Sequence, residues 1–258
     1  MRFNKSIAPI AASVLLATVA SAPVLANQAG DIIVRAGITS VAPDSNDSTI
    51  YATADNLTVH LDTQANGASA ITASVENDSQ LGLNLVYFFS EKVAVELLAA
   101  TPFSHDISVN TGTSLGTINL GSTKHLPPTV SVLYYPNEPT SKWQPYLGLG
   151  VNYTVFFEEE FNPALTSATS PAIAGLNGAD ATVGAIELSD LKLKNSWGLS
   201  AQVGLDYHLD NNWLVNASAR YIDIDTTGTF SAVGGAVSGK VDVDIDPWVY
   251  TLSIGYIF

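Results

Sequence analysis

Trp248 to Phe258 reads W-V-Y-T-L-S-I-G-Y-I-F, and the fold is decided in these residues. At period two, Trp248, Tyr250, Leu252, Ile254, Tyr256 and Phe258 share one face. Val249, Thr251, Ser253, Gly255 and Ile257 share the other. Successive side chains of a strand point to opposite faces, so this strand has one wholly apolar face and one smaller, mixed face. Aromatics stand at both ends of the apolar face, with aliphatics between. A strand that crosses a bilayer has this pattern, with aromatic girdles at two interfaces and an apolar band between them.

The same alternation recurs upstream. Between Asp31 and Val41, Ile32, Val34, Ala36 and Ile38 oppose Ile33, Arg35, Gly37, Thr39 and Val41, and Pro43 ends the run. Leu81, Leu83, Leu85, Tyr87 and Phe89 face out from Gln80 to Ser90. Val93, Val95, Leu97 and Ala99 do so in a strand expected to reach Ile107. A strand from Leu120 to Tyr135 carries Val130, Val132 and Tyr134 outward and holds Pro127-Pro128 inside it. Trp143 to Phe157, Lys192 to Leu209 and Asn212 to Phe230 follow the same rule, with Trp143, Trp197 and Trp213 near their ends. The terminal stretch, extended back to Lys240, completes the set of strands.

Long and short connections alternate. Residues 44–78, 109–118, 158–188 and 231–239 are long or moderate, while Glu91-Lys92, Pro136 to Lys142 and Asp210-Asn211 are short. A hairpin is expected at Leu57 to Leu61 and a short helix within 158–188. An even-numbered barrel with both termini in the periplasm has this rhythm. Lipid tolerates no open sheet edge, so the sheet must close. The fold class is therefore all-β: an eight-stranded antiparallel transmembrane β-barrel with long extracellular loops and short periplasmic turns. Several strands exceed the ~9–11 residues that cross a bilayer, so the wall is expected to continue on the outer side.

Composition agrees. Of 258 residues, 47% are hydrophobic and only 13% charged, about half the usual globular share. Arg2 and Lys5 precede an apolar run, Ile7 to Ala20, and Val24-Leu25-Ala26 offers a small-residue cleavage site. Residues 1–26 are read as a cleaved signal peptide and 27–258 as a single outer-membrane barrel domain. After the leader no apolar run reaches transmembrane-helix length. The net charge of −14, deepened by two when the leader leaves, argues against a nucleic-acid partner. A closed barrel has no free edge, so no oligomer is required.

Segments in nearly every strand resemble the OmpW family of small outer-membrane barrels. They are Gly30 to Gly37, Gln80 to Leu83, Val95 to Phe103, His125 to Thr129, Pro145 to Phe157 and Ser196 to Tyr207. Trp213 to Asn216, Tyr221 to Thr227, Asp246-Pro247-Trp248 and Gly255 to Phe258 continue the match in order. The resemblance implies an eight-stranded barrel with a largely hydrophobic interior. It also implies assistance to small hydrophobic molecules crossing the outer membrane, with sideways escape into the bilayer. The terminal Phe258 resembles the signal by which barrel-assembly machinery recognises its clients.

Eight strands leave an interior just wide enough for side chains or one small ligand, which disfavours a wide aqueous pore. The inward charges are Arg35, Glu96, Asp206 and Arg220. A charge facing a narrow interior needs a partner, so Glu96 is expected to pair with Arg35 or Arg220, with a ligand-binding role as the alternative. Phe88, Tyr146 and Phe156 are candidates for a hydrophobic funnel on the outer side. Pro127-Pro128 removes backbone donors and marks either a lateral opening or a bulge that only sets curvature. A structural or surface-receptor barrel without transport is the competing reading.

Enzymatic and metal chemistry find less support. Ser104-His105-Asp106 is suggestive in one dimension, but consecutive strand residues point to alternating sides and cannot converge on one substrate. No catalytic, cofactor or metal residue is assigned. His60, His105 and His125 lack compact ligand spacing, and Glu158-Glu159-Glu160 reads as a solvated loop.

Overall fold

The structure, a computed structural model, describes residues 27–44, 49–54, 57–60, 72–110, 117–166, 188–232, 235 and 237–258. The expected signal peptide lies outside the described residues, as do 111–116 and 167–187 of two connections. The strands are β1 (Ile32–Ala42), β2 (Thr49–Ala54), β3 (Leu57–His60), β4 (Thr72–Val75), β5 (Asp78–Ser90), β6 (Val93–Ala100), β7 (Phe103–Asn110) and β8 (Thr117–Leu126). Then come β9 (Thr129–Tyr134), β10 (Trp143–Phe161), β11 (Leu188–Leu193), β12 (Ser196–His208), β13 (Trp213–Ile222), β14 (Asp225–Ala232), β15 (Val237–Asp244) and β16 (Trp248–Ile257).

Eight of them close into an antiparallel barrel in the order β12-β13-β16-β1-β5-β6-β9-β10, with β10 pairing back to β12. Closure joins the chain ends: Ile33 pairs with Ile257 and Ala42 with Trp248. Every face assigned from alternation is kept. The outward residues of β16 are exposed and its inward ones buried. Aromatics form two belts on the outside. Trp143 lies 4.5 Å from Tyr207, and Trp213 5.2 Å from Tyr256, at the end bearing the short turns. Tyr153 lies 4.4 Å from Trp197, and Tyr221 5.7 Å from Trp248, at the other end. Eight residues separate Trp213 from Tyr221, which is roughly 21 Å along the barrel axis at ~3.4 Å per residue and ~40° of tilt.

Turn chemistry agrees at the short-turn end. Leu209 N–H donates to the Trp213 carbonyl at 2.7 Å and closes a three-residue loop, in which Asn211 and Asn212 both take positive φ, 61° and 65°, a conformation asparagine tolerates. Above the upper belt, the expected long strands are interrupted. Thr101-Pro102 separates β6 from β7, Pro127-Pro128 separates β8 from β9, and Lys194-Asn195 separates β11 from β12. The wall there splits in two: β10 continues into β8-β7-β4, while β11-β14-β15-β2-β3 form a second sheet. Residues 44–78 are thus not a plain loop. They contain a hairpin, β2 with β3, and a strand, β4, that pairs with β7. Their polar alternation suits sheet in water, whereas the membrane pattern needs one continuous apolar face. Of the helix expected within 158–188, the described residues contain a three-residue 3-10 turn, Pro163–Leu165.

Candidate functional site

β1 reads out the interior level by level. Its inward residues from the turn end upward are Ile33, Arg35, Gly37, Thr39 and Val41, facing Ile257, Gly255, Ser253, Thr251 and Val249 of β16. Each pair belongs to one layer of the filling.

The lowest layer is an aromatic plug that includes Ile33, Phe88, Leu133, Tyr135, Tyr146 and Leu214. Ring centroids of Phe88 and Tyr135 lie 5.1 Å apart, and those of Tyr135 and Tyr146 5.2 Å. The Tyr146 ring lies on bare backbone at Gly204, where a Cβ would fall 2.2 Å from Tyr146 Cζ. Above the plug sits a buried charge layer. Arg35 Nη1 donates to Glu96 Oε2 at 3.1 Å, and Arg35 Nη2 to Asp206 Oδ2 at 2.5 Å. Arg220 Nη2 donates to Glu96 Oε1, which also accepts from Gln202 Nε2 at 3.0 Å. Asn216 Nδ2 donates to Asp206 Oδ1 at 2.8 Å, and Arg35 to the Tyr135 hydroxyl at 2.9 Å. Arg35 and Asp206 are 0% exposed, so these charges are fully withdrawn from water and balance as two cations and two anions.

The next layer is polar and small. Thr39 and Thr251 share a hydroxyl hydrogen bond of 3.0 Å. Asn152 Nδ2 donates to Thr129 Oγ1 at 3.0 Å and to the Pro128 carbonyl at 3.2 Å. The top layer is apolar again, with Val41, Phe103, Phe156, Ile222, Ile224 and Val249.

A break in the wall adjoins this upper apolar layer. The β6–β9 ladder ends at Leu98 with Thr129, and the β7–β8 ladder begins at Phe103 with His125. Among the described residues no backbone hydrogen bond links 99–102 to 126–128. The last rung below and the first above are four residues apart on the β8–β9 side, roughly 13 Å at ~3.3 Å per residue. Pro127 is buried and Pro128 exposed. The opposite side stays tied, since Tyr153 N–H donates to the Pro128 carbonyl at 3.1 Å. A residue's N–H and C=O point the same way in a strand. The donor missing at Pro128 is therefore on the β10 side, and the one missing at Pro127 faces the break.

Phe103, His105, His125 and Phe156 form a ring stack just inside the break. His105 Nε2 and His125 Nε2 are 2.8 Å apart, and His105 Nδ1 is 2.5 Å from the Glu76 carbonyl. Burial lowers both imidazoles, that of His125 to about 3, with the neighbouring His105 adding to its shift. Ser104 and Asp106 are exposed on the opposite face, so the Ser-His-Asp run does not converge. Elsewhere on the outer wall the carboxylates of Asp223, Asp225 and Asp246 lie within 4.8 Å of one another. Asp246 accepts from the Tyr221 hydroxyl at 2.9 Å and the Ile224 N–H at 3.1 Å.

The expected site residues are thus distributed over different levels. Glu96 bridges Arg35 and Arg220 as the inward pattern anticipates. Phe88 and Tyr146 point inward but belong to the bottom plug, because each lies close to a short turn. They do not form an outer funnel with Phe156, which is in the top layer. The interior is apolar only at its two ends, against the expectation of a largely hydrophobic lumen, because buried polar side chains fill the middle. Tyr135 goes unflagged in the sequence because it follows the last alternating residue of its strand. The meeting of His105 with His125 was equally hidden. Alternation carried on from Val93, Val95, Leu97 and Ala99 would turn His105 outward, and only the change of face at Thr101-Pro102 brings it inside with His125.

A closed eight-stranded barrel, greasy outside between two aromatic belts and filled inside, is an outer-membrane β-barrel. The chain belongs to the OmpW family, whose model matches residues 28–258. It is 44% identical over 245 residues to outer membrane protein W of Vibrio cholerae serotype O1, covering 95% of this chain and 96% of that one. It is 36% identical over 247 residues to outer membrane protein W of Escherichia coli K12, covering 96% and 97%. The crystal structure of outer membrane protein OprG from Pseudomonas aeruginosa matches with a TM-score of 0.72 and 37% identity, over 91% of this chain and 99% of that one. The protein is accordingly an outer-membrane protein seated in lipid, and the end bearing the short turns faces the periplasm.

Proposed function

We propose that the barrel assists small hydrophobic molecules across the outer membrane, receiving them from outside and releasing them sideways into the bilayer. The carrying observation is the break at Pro127-Pro128 beside the upper apolar layer, above a level filled by buried charges. A greasy solute that reaches Phe156 and Phe103 meets an apolar wall. Descent through the charge layer would separate ions already withdrawn from water, which is costly. Escape through the break needs no ladder hydrogen bond to be broken. In this reading Phe156 lines the entry, Arg35, Glu96 and Arg220 form the floor, and Phe88 and Tyr146 seal it from below.

The test is the double substitution Pro127→Ala/Pro128→Ala, which restores two backbone donors. Uptake of a hydrophobic test compound into liposomes carrying the barrel is expected to fall. Unchanged uptake, with the variant folded, would refute lateral release.

A further inference from the structure

We propose that the His105–His125 pair is a proton-operated latch, holding the outer wall beside the Pro127-Pro128 break closed at neutral pH and releasing it in acid. The inference rests on the proposed lateral exit for its purpose, but not for its structural readout.

The hydrogen-bond pattern assigns every proton. His105 Nδ1 lies 2.5 Å from the Glu76 carbonyl, which can only accept, so Nδ1 carries the proton and donates. Neutral His105 therefore offers a bare Nε2. His125 Nε2–H donates to it across 2.8 Å, which leaves His125 Nδ1 bare. That atom is buried and has no hydrogen-bond partner. The two rings are 3% and 6% exposed, with His125 between Phe103 and Phe156 and His105 stacked on His125.

A third proton has no good place. On His125 Nδ1 it creates a buried cation whose new N–H finds no acceptor. On His105 Nε2 it sets N–H against N–H and breaks the side-chain hydrogen bond that ties β7 to β8 beside their backbone ladder. The groups that face the pair do little to relieve this. On β5, both Asp78 oxygens already accept, from Ser79 and Ser104 N–H and from Gln80 Nε2. On β7, Asp106 is exposed on the opposite face. Glu76 contributes its carbonyl. On the outward side Lys124 of β8 is already paired with Glu158 of β10. The sign follows. A hydrated imidazole binds its proton near pH 6.5, and the closed pair refuses it until about pH 3 for His125. The closed form is therefore fully favoured above pH 6.5 and loses ground as pH falls below it. The location makes this consequential. His125 is paired with Phe103 on the first rung above the break, so opening the pair lengthens the gap upward.

The experiment is backbone hydrogen exchange on the full barrel in nanodiscs at pH 7.5 and 5.0, corrected for intrinsic exchange rates. Amides of Phe103–Ile107 and Thr123–Leu126 in the wild type are expected to open about 30-fold more at pH 5.0, relative to β13 and β16, the ratio for one imidazole moving from about 3 to about 6.5. His125→Gln, which keeps a donor toward His105 but does not titrate, is expected to abolish that difference. His125→Phe, which extends the ring stack, serves if the glutamine variant folds poorly. A pH response that persists in the folded variants overturns the latch, as does its absence in the wild type. Protection that rises when zinc is added at neutral pH would mark the rings as a metal pair and also overturn it. Uptake measured at both pH values separates the two proposals. Acid opening without altered uptake keeps the latch and refutes the exit.

Discussion

Glu96→Gln is the sharpest probe of how this barrel holds itself together. The substitution keeps the volume and one acceptor oxygen, and it removes a single charge. Glu96 accepts from Arg35 at 3.1 Å, from Gln202 at 3.0 Å and from Arg220. After the change Arg35 retains the Asp206 carboxylate at 2.5 Å, whereas Arg220 is left with neutral acceptors alone, the amide oxygen at position 96 and that of Gln202 at 2.7 Å. One guanidinium is then buried without an anion. Breaking a buried pair from one side costs about 3–5 kcal/mol, because the charge left behind stays out of water. Arg220→Met should cost less, about 1–3 kcal/mol, since Glu96 still holds Arg35 and loses one hydrogen bond. The double variant restores electroneutrality around Arg35 and Asp206, so its cost should fall short of the sum by about 1–3 kcal/mol. Equilibrium urea unfolding in lipid vesicles measures all three, and all four tryptophans face the lipid and report insertion by fluorescence. A loss below about 1 kcal/mol for Glu96→Gln, or strict additivity in the double variant, would refute the buried network as a structural tie.

Two further outcomes follow from the packing and the chain end. Gly204→Val should destabilise the barrel by at least about 1–3 kcal/mol, because a Cβ would fall 2.2 Å from Tyr146 Cζ and the ring is held in the plug; the same vesicle titration checks it, and Gly30→Val, where nothing lies within 4 Å but φ is +100°, controls for backbone strain alone. Deletion of Phe258 removes the last rung, where its N–H donates to Ile32 at 2.8 Å, together with the exposed terminal aromatic expected to address the assembly machinery. Outer-membrane yield should drop while the refolded protein keeps its β-sheet spectrum, and normal yield would count against that role.

The sequence by itself determined which way nearly every membrane side chain points, as Trp248 to Phe258 illustrates. Facing depends on a two-residue period that each strand carries locally, and lipid demands the apolar face without exception. Strand number and closure followed, because an unpaired edge cannot survive in a bilayer. Pro127-Pro128 announced an interruption for an equally local reason, since proline lacks a backbone donor. Levels and partners were another matter. Alternation states that Phe88, Tyr146 and Phe156 point inward, but not that the first two lie below the charge layer and the third above it. Height in a barrel depends on where each strand begins relative to its neighbours. The same limit hid the outer wall, where β2, β3 and β4 are six, four and four residues long, too short for their alternation to show the membrane pattern. It hid the histidine pair most completely. His105 and His125 are twenty residues apart, and only the β7–β8 register, shifted by one at the proline break, brings their Nε2 atoms to 2.8 Å. Local periodicity set the faces, and ring closure with its register decided which buried groups meet.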